Sequence, residues 1–276
     1  MIEQQNKPEP ARDLTGEAMP LFGRVHTVLT DIDDTITTNG RLPARAYGAI
    51  ERLSEAGFRV IPLTGRPAGW CDMIARFWPV AGIVGENGAF AFRYDHDARR
   101  MTRYYESSEV ERRERQARLQ TLAPMILEQV PGSAIASDQA FRVADLAIDF
   151  CEDVAPLDAA RVQKIVEIFR SHGATAKVSS IHVNAWFGTY DKLTMTKRFL
   201  AEAFGATLGE DDSAFIGDSP NDEPMFAALP LSVGVANVRA FLSAMAAKPR
   251  YITRGAGGEG FAEFADLLID ARKAAR

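Results

Sequence analysis

The stretch Val25-His26-Thr27-Val28-Leu29-Thr30-Asp31-Ile32-Asp33-Asp34-Thr35 decides how this chain is read. An apolar, β-branched run predicts a buried strand, and the strand ends in three aspartates within four residues. Packing does not account for them, because carboxylates repel one another and are costly to bury unpaired. On an extended chain, side chains two apart share a face, so Asp31 and Asp33 are expected to look into one small volume. That volume lies at the carboxyl end of the strand, the ligand side of an open α/β sheet. A divalent cation would offset the repulsion, and a site made of oxygens suits Mg²⁺. One carboxylate can then attack phosphorus while the other handles protons. The plainer alternative is a turn that uses its aspartates as caps, a role open to Asp34 and Thr35 in either case.

Outward from this stretch the chain alternates. A helix is expected over 43–56, with Pro43 in its first turn and Gly57 just past its end. A strand follows over 58–63, with Pro62 acceptable only at its last rung. It leads into Thr64-Gly65-Arg66-Pro67, which reads either as a turn whose amides and Thr64 hydroxyl hold an anion or as an ordinary strand–helix turn. A helix over 67–78 carries Trp70, Ile74 and Phe77 as expected core, and a strand over 82–84 runs into Glu86-Asn87-Gly88. Strand, helix, strand, helix, strand in this spacing predicts an α/β fold with a doubly wound, Rossmann-like parallel sheet.

The rhythm then breaks. Hairpin strands are expected over 90–94 and 101–105, and a charged helix over 108–130, interrupted near Pro124. A strand over 144–150, a helix over 158–172 and paired strands over 174–179 and 182–186 complete an inserted α+β domain, 91–186. The parallel pattern resumes with a helix over 192–204. A strand over 214–216 runs into Gly217-Asp218-Ser219-Pro220-Asn221-Asp222, a second acidic cluster at a strand end. Asp222 either adds a carboxylate there or caps the next helix. A strand over 231–235, a helix over 238–247 and a short strand over 251–253 follow. The glycine-rich 255–260 lacks dinucleotide spacing and reads as a flexible turn before an amphipathic helix, 261–271.

Composition narrows the class. With 276 residues, 46% hydrophobic and 25% charged, the chain has the balance of a soluble globular protein. Its net charge of −5 gives no general nucleic-acid binder, and no apolar run is long enough to span a bilayer. Cys71 and Cys151 are far apart and offer no metal spacing, so they read as reduced thiols of a cytoplasmic protein. The polar start, with Pro8 and Pro10, reads as a disordered tail over 1–20. The expected division is that tail, a core of 21–90 with 187–276, and the insert 91–186.

Four motifs in this order, Asp31-Ile32-Asp33-Asp34-Thr35, Leu63-Thr64-Gly65-Arg66-Pro67, Asp191-Lys192 and Gly217-Asp218-Ser219-Pro220-Asn221-Asp222, resemble those of the haloacid dehalogenase (HAD) superfamily phosphatases across about 24–270. The insert's position between the second and third motifs resembles subfamily IIB, the Cof-type and sucrose-phosphate phosphatase-like branch with an α+β cap. The resemblance implies a HAD core in which Asp31 is the nucleophile that forms an aspartyl-phosphate and Asp33 is the general acid and then base. It implies Mg²⁺ held by Asp31, the backbone carbonyl of Asp33 and Asp218, with Asp222 at or behind the metal. It assigns phosphoryl oxygens to Thr64, with Gly65, and to Lys192; Asn221 lies in the fourth motif, and Asn87 matches a family segment at the cap entry. Asp34 departs from the subfamily's more frequent glycine, which bears on the loop's shape.

Substrate choice is expected in the cap. Arg142, Asp149, Ser179, Ser180, His182 and Asn184 are candidates, with His182 and Asn184 on one strand face and Val183 and Ala185 on the other. Either that polar face contacts sugar hydroxyls or it is simply solvated. The leading expectation is a Mg²⁺-dependent phosphatase of a small phosphate monoester, a sugar phosphate first among them, acting as a monomer or homodimer. The alternatives are a phosphohexomutase-type phosphotransferase, favoured by the likeness of 187–192 to a phosphomannomutase segment, and a non-catalytic sugar-phosphate-binding protein.

Overall fold

The computed structural model describes residues 11–209 and 212–275. The chain forms two compact units, Met1–Pro62 with Leu208–Arg276, and Leu63–Thr207. This division differs from the core and insert boundaries expected from sequence. The segments 63–90 and 187–207 group with the insert because Ile83–Gly85 pairs antiparallel with Phe90–Asp95, and because the helix Lys192–Phe204 packs on those strands.

The first unit is built on a six-stranded, wholly parallel sheet. Its order across the sheet is Arg12–Asp13, Tyr251–Ile252, Ser232–Gly234, Ser213–Gly217, Thr27–Thr30 and Arg59–Pro62. Every residue of Thr27–Thr30 is buried, as an apolar run covered on both faces demands. Pro62 occupies the last rung, opposite Thr30, on the outermost strand of this sheet, where its missing N–H costs no ladder bond. The helices Ala44–Glu55 and Gly257–Ala274 pack on each other, and each buries an apolar face, with Ala46, Ile50 and Leu53 on the first and Phe261, Ala265 and Leu268 on the second.

Three expectations for this unit change. Of the supposed tail, residues 1–10 lie outside the described residues, but Arg12–Asp13 is an edge strand, and Leu14 and Ala18 are buried, as is Phe22 just beyond it. Phe22 meets Tyr251 and Phe264 edge-on, at centroid distances of 5.8 and 5.7 Å. The expected helix over 238–247 is only the short 3-10 turn Ala236–Ala240, because Glu223 Oε2 takes the N–H groups of Ala246 and Ala247 that a helix would have used. The glycine-rich 255–260 is not a flexible turn. The terminal helix starts at Gly257, where Asn237 Oδ1 accepts the Gly257 N–H (3.0 Å) and Thr38 Oγ1 the Gly258 N–H (3.1 Å), satisfying donors that a helix start leaves open.

The second unit holds two antiparallel sheets. Ile83–Gly85, Phe90–Asp95 and Arg100–Tyr105 form one, so the strand expected as a third parallel member is tied to a hairpin, and a lone parallel bridge joins Leu63 to Val84. The other orders Ala134–Ile135, Leu146–Asp149, His182–Trp186 and Thr175–Val178. The helices Glu109–Gln129 and Ala159–Ser171 cover it with a core that includes Leu119, Ile126, Ile165, Phe169, Val183 and Ala185. Glu109–Gln129 runs unbroken through Pro124, correcting the expected interruption. Pro124 and Gln120 are both exposed, so water can serve the carbonyl that proline leaves without a donor, while Leu119, Leu122, Ala123 and Ile126 hold the helix to the sheet. On the helix Ala68–Phe77, Ile74 is buried as expected, but Trp70 and Phe77 are exposed rather than core.

Candidate active site

Asp31 follows Thr27–Thr30 and Asp218 follows Ser213–Gly217, two neighbouring parallel strands registered with Ile216 opposite Thr30. The Asp31 N–H still bonds the Ile216 carbonyl (3.0 Å), so the ladder carries both aspartates to the same sheet edge. Four residues beyond Asp218, the 3-10 turn Pro220–Asp222 brings Asp222 back. Asp31, Asp218 and Asp222 are all buried, and each offers an oxygen such that the three lie within 4.8 Å of one another. Three buried carboxylates at this separation call for a compensating cation. An all-oxygen donor set of this kind fits Mg²⁺.

The surrounding contacts define the carboxylates' geometry. Asp222 Oδ2 accepts the N–H groups of Asp218 (3.0 Å) and Ser219 (3.4 Å), closing its own turn, and the residue joins the acidic group; its side chain makes no cap bond to the following helix Glu223–Ala228, so of the two sequence alternatives the added carboxylate is the one the geometry favours. Gly217 makes this possible, since a Cβ there would lie 2.7 Å from Asp222 Cγ. Thr35 Oγ1 donates to Asp218 Oδ1 (3.5 Å), and Asn237 Nδ2 reaches both Asp218 Oδ2 (3.4 Å) and the Asp34 carbonyl (3.0 Å). Asn237 was not legible as a site residue, although its place just beyond the strand Ser232–Gly234 was a usable signal. Asp34 sits in the left-handed region, φ +56°, which explains why glycine suits this position and why aspartate can replace it. Asn221 lies in the turn between the two later aspartates.

Asp33 is half-buried and its carboxylate is not in the group of three. The extended-chain argument for it does not apply. The strand stops at Thr30, and the chain has turned by 33–36, with the N–H groups of Thr35 and Ile36 on the Ile32 carbonyl.

The remaining candidates belong to the second unit. Thr64 is fully buried; its hydroxyl accepts the Arg66 N–H (3.0 Å) and its carbonyl the Asn87 N–H (3.1 Å). Lys192 is the first residue of its helix, which Asp191 caps by accepting the Thr194 N–H (2.7 Å). Three of the cap candidates, Arg142, His182 and Asn184, are buried and engaged with carboxylates inside this unit. Arg142 binds Asp138 through Nε (3.0 Å) and Nη2 (3.2 Å), and Asp145 through Nη1 (3.0 Å). Asn184 donates to Asp145 Oδ2 (3.1 Å), and His182 Nε2 lies 2.9 Å from Glu152 Oε2. That histidine contact, with the Arg66 charge assisting, holds Glu152 down at about 2. Asp149 accepts the N–H groups of Cys151, Glu152 and Asp153, so it is a turn cap. Ser179 binds the backbone of His182, and Ser180 gives its carbonyl to the Cys151 thiol.

Glu86, noticed in the sequence only as part of a motif, is fully buried and accepts the N–H groups of Ala68, Val143, Ala144 and Asp145. Burial, then the charge of Asp145, pushes its carboxyl up to about 8 against the pull of Arg142 and those donors. Both cysteines are free, and among the described residues no helix is long and apolar enough to cross a membrane.

A family model described as haloacid dehalogenase-like hydrolase matches residues 28–125. No curated protein matches. Among solved structures, the C-terminal domain of C. albicans trehalose-6-phosphate phosphatase is similar with a TM-score of 0.68 at 14% identity, covering 96% of this chain and 99% of that one. A Thermoplasma acidophilum protein gives 0.67 at 18%, covering 88% and 98%, and a HAD/COF-like hydrolase from Plasmodium vivax gives 0.66 at 14%, covering 93% and 99%. At these identities the likeness speaks for the fold.

Proposed function

We propose that this chain, whose residues 28–125 match a haloacid dehalogenase-like hydrolase model, is a Mg²⁺-dependent phosphatase that hydrolyses a small phosphate monoester, a sugar phosphate first among the candidates. The observation that carries the reading is the convergence of Asp31, Asp218 and Asp222 at the carboxyl ends of adjacent parallel strands. Two of the similar folds, the C. albicans domain and a trehalose-6-phosphate phosphatase related protein, bear names that point the same way.

In this mechanism the Asp31 carboxylate attacks phosphorus and the ester oxygen leaves, with Asp33 giving it a proton. Asp33 then takes a proton from the water that attacks the phosphorus of the aspartyl-phosphate, releasing phosphate and restoring Asp31. Mg²⁺ held by the three aspartates would neutralise their charge and polarise a phosphoryl oxygen. The Thr64-Gly65 turn and Lys192 are assigned phosphoryl oxygens by their motif resemblance, a role in keeping with phosphoryl transfer, which depends on positioning and charge neutralisation. The free, buried Cys71 is in keeping with a cytoplasmic enzyme.

The test is Mg²⁺-dependent phosphate release across sugar phosphates, nucleotides and phosphoglycolate. A preference for one sugar phosphate with stoichiometric phosphate release supports the reading. Return of the phosphoryl group to a second sugar instead of water would make the protein a phosphotransferase, and binding without turnover would make it a sensor.

A further inference from the structure

The turn Glu86–Gly88 lies between the two motifs assigned to phosphoryl oxygens. On one side, Asn87 N–H bonds the Thr64 carbonyl (3.1 Å) and Glu86 N–H the Arg66 carbonyl (3.2 Å). The Asn87 amide also covers Gly65, approaching within 3.2 Å of where a Cβ would stand. On the other side, Gly88, at φ +109°, abuts the peptide between Asp191 and Lys192, so closely that a Cβ would lie 2.9 Å from the Lys192 nitrogen. Glu86 and Asn87 both hold positive φ, a backbone state that surrounding contacts have to impose on residues with side chains.

Those contacts come from Ala68 and from residues 138–145. Glu86 Oε1 takes the N–H of Ala68, the first residue of the helix that follows the 64–67 turn, and also that of Val143. Its Oε2 takes the N–H groups of Ala144 (2.7 Å) and Asp145 (3.1 Å). From the same segment, Arg142 Nη1 donates to the Gly65 carbonyl (3.0 Å), while Asp138 and Asp145 hold the rest of its guanidinium. The Arg142 side chain is wholly buried, as is that of Asp145. Thus the turn is gripped at both ends, at the Gly65 carbonyl by Arg142 and at the Ala68 amide by Glu86. A guanidinium does this well because its planar fork can serve three acceptors at once.

We propose that Glu86 and Arg142 are positioning residues: together they clasp the 64–67 turn to the 138–145 segment and thereby set its affinity for a phosphoryl group. This rests on the reading of Thr64-Gly65 as a phosphate-binding turn, and the experiment separates the two. Steady-state hydrolysis of p-nitrophenyl phosphate by the full chain with Mg²⁺ yields KM, kcat and the inhibition constant of inorganic phosphate, the probe. Glu86→Gln turns one acceptor into a donor that faces backbone donors. Arg142→Met combined with Asp138→Asn and Asp145→Asn removes the clasp without leaving a buried charge unpaired. Arg142→Lys keeps the charge but not the fork, and decides the matter if the other two fail to fold.

The clasp predicts that KM and the phosphate inhibition constant rise about tenfold, with kcat changing less, in protein that still melts cooperatively. A merely structural role lowers the melting temperature and leaves the constants of the folded enzyme alone; unchanged phosphate inhibition in folded variants overturns the proposal. Thr64→Val is the separate arm. If it raises the phosphate constant while the clasp variants do not, the clasp alone is wrong. If Thr64→Val leaves the constant unchanged, the phosphate assignment of the turn falls, and the clasp with it.

Discussion

Replacing Gly217 by alanine probes the acidic site where it is tightest. The new Cβ would overlap Asp222 Oδ2 and stand 2.7 Å from Asp222 Cγ and 2.9 Å from Phe215 Cε1. Carbon–carbon contacts are at their best near 3.5–4.0 Å, so the carboxyl has to retreat by about 1 Å. It has nowhere easy to go, because Asp222 is 0% exposed and its Oδ2 is held by the N–H groups of Asp218 and Ser219. Weakening hydrogen bonds to a buried carboxylate costs about 1.5–3 kcal/mol, and overpacking adds about 1–3 kcal/mol. The expected loss is about 3–5 kcal/mol of folding stability, measured by urea unfolding. The Mg²⁺ concentration for half-maximal activity should rise as well, since the retreat pulls one carboxylate out of the group of three. The decisive comparison is a double-mutant cycle. With Asp222→Ala already in place, only the contact with Phe215 Cε1 remains to be relieved, and the cost should fall to the overpacking part alone, about 1–3 kcal/mol. A Gly217→Ala protein within about 0.5 kcal/mol of the parent, or a penalty that persists undiminished without the Asp222 carboxyl, would refute the reasoning.

Asp31→Asn should lower p-nitrophenyl phosphate hydrolysis by about a thousandfold or more while the unfolding transition is retained, since it removes the nucleophile and one negative charge; retained activity rejects Asp31 in that role. Chelation with EDTA should abolish turnover, and adding Mg²⁺ back should restore it and raise the melting temperature, as expected for a ligand that binds only the folded acidic site; a chelated enzyme that still turns over argues against the metal. Asn237→Ala removes donors to Asp218 and to the Asp34 carbonyl and the acceptor for the Gly257 N–H, and should cost about 1–3 kcal/mol in denaturant unfolding. Glu152, held near 2 in the folded chain chiefly by its bond with His182, contributes stability that is present above its ordinary range near 4.5 and is lost as pH falls through 2. Allowing for its partial exposure this is about 1–2 kcal/mol, so Glu152→Gln should flatten that part of the acid-unfolding curve; an unchanged curve contradicts the ion pair.

Local chemistry made much of this molecule legible. The β-branched run before Asp31, the helix bounded by Pro43 and Gly57, and the Asp218 and Asp222 cluster each announce themselves within a dozen residues. Errors arose where a distant group took over a local decision. Glu223 withdraws the Ala246 and Ala247 amides from an expected helix, and Asn237 and Thr38 start the terminal helix at glycines that looked like a flexible turn. His182 and Asn184 were correctly placed on one strand face, but alternation along a strand cannot reveal that Glu152 and Asp145 wait there to bind them. Trp70 and Phe77 have the spacing of a core stripe and are nonetheless exposed, since periodicity defines a face without saying what covers it.

By itself, then, the sequence determined most of the strands and helices, those whose periodicity no distant group overrides, and that two carboxylate groups follow two of those strands. Those are consequences of periodicity and of residue type, which act over a few residues. Only the tertiary structure decided that the two strands are parallel neighbours registered Ile216 to Thr30, so that aspartates 187 positions apart in sequence bring oxygens within 4.8 Å of one another. It also decided that Arg142, read from sequence as a cap candidate for substrate, and Glu86 grip the turn at Gly65 and Ala68. Pairing between distant segments is a property of the whole packed chain, settled by which arrangement buries the apolar faces and satisfies the buried polar groups together.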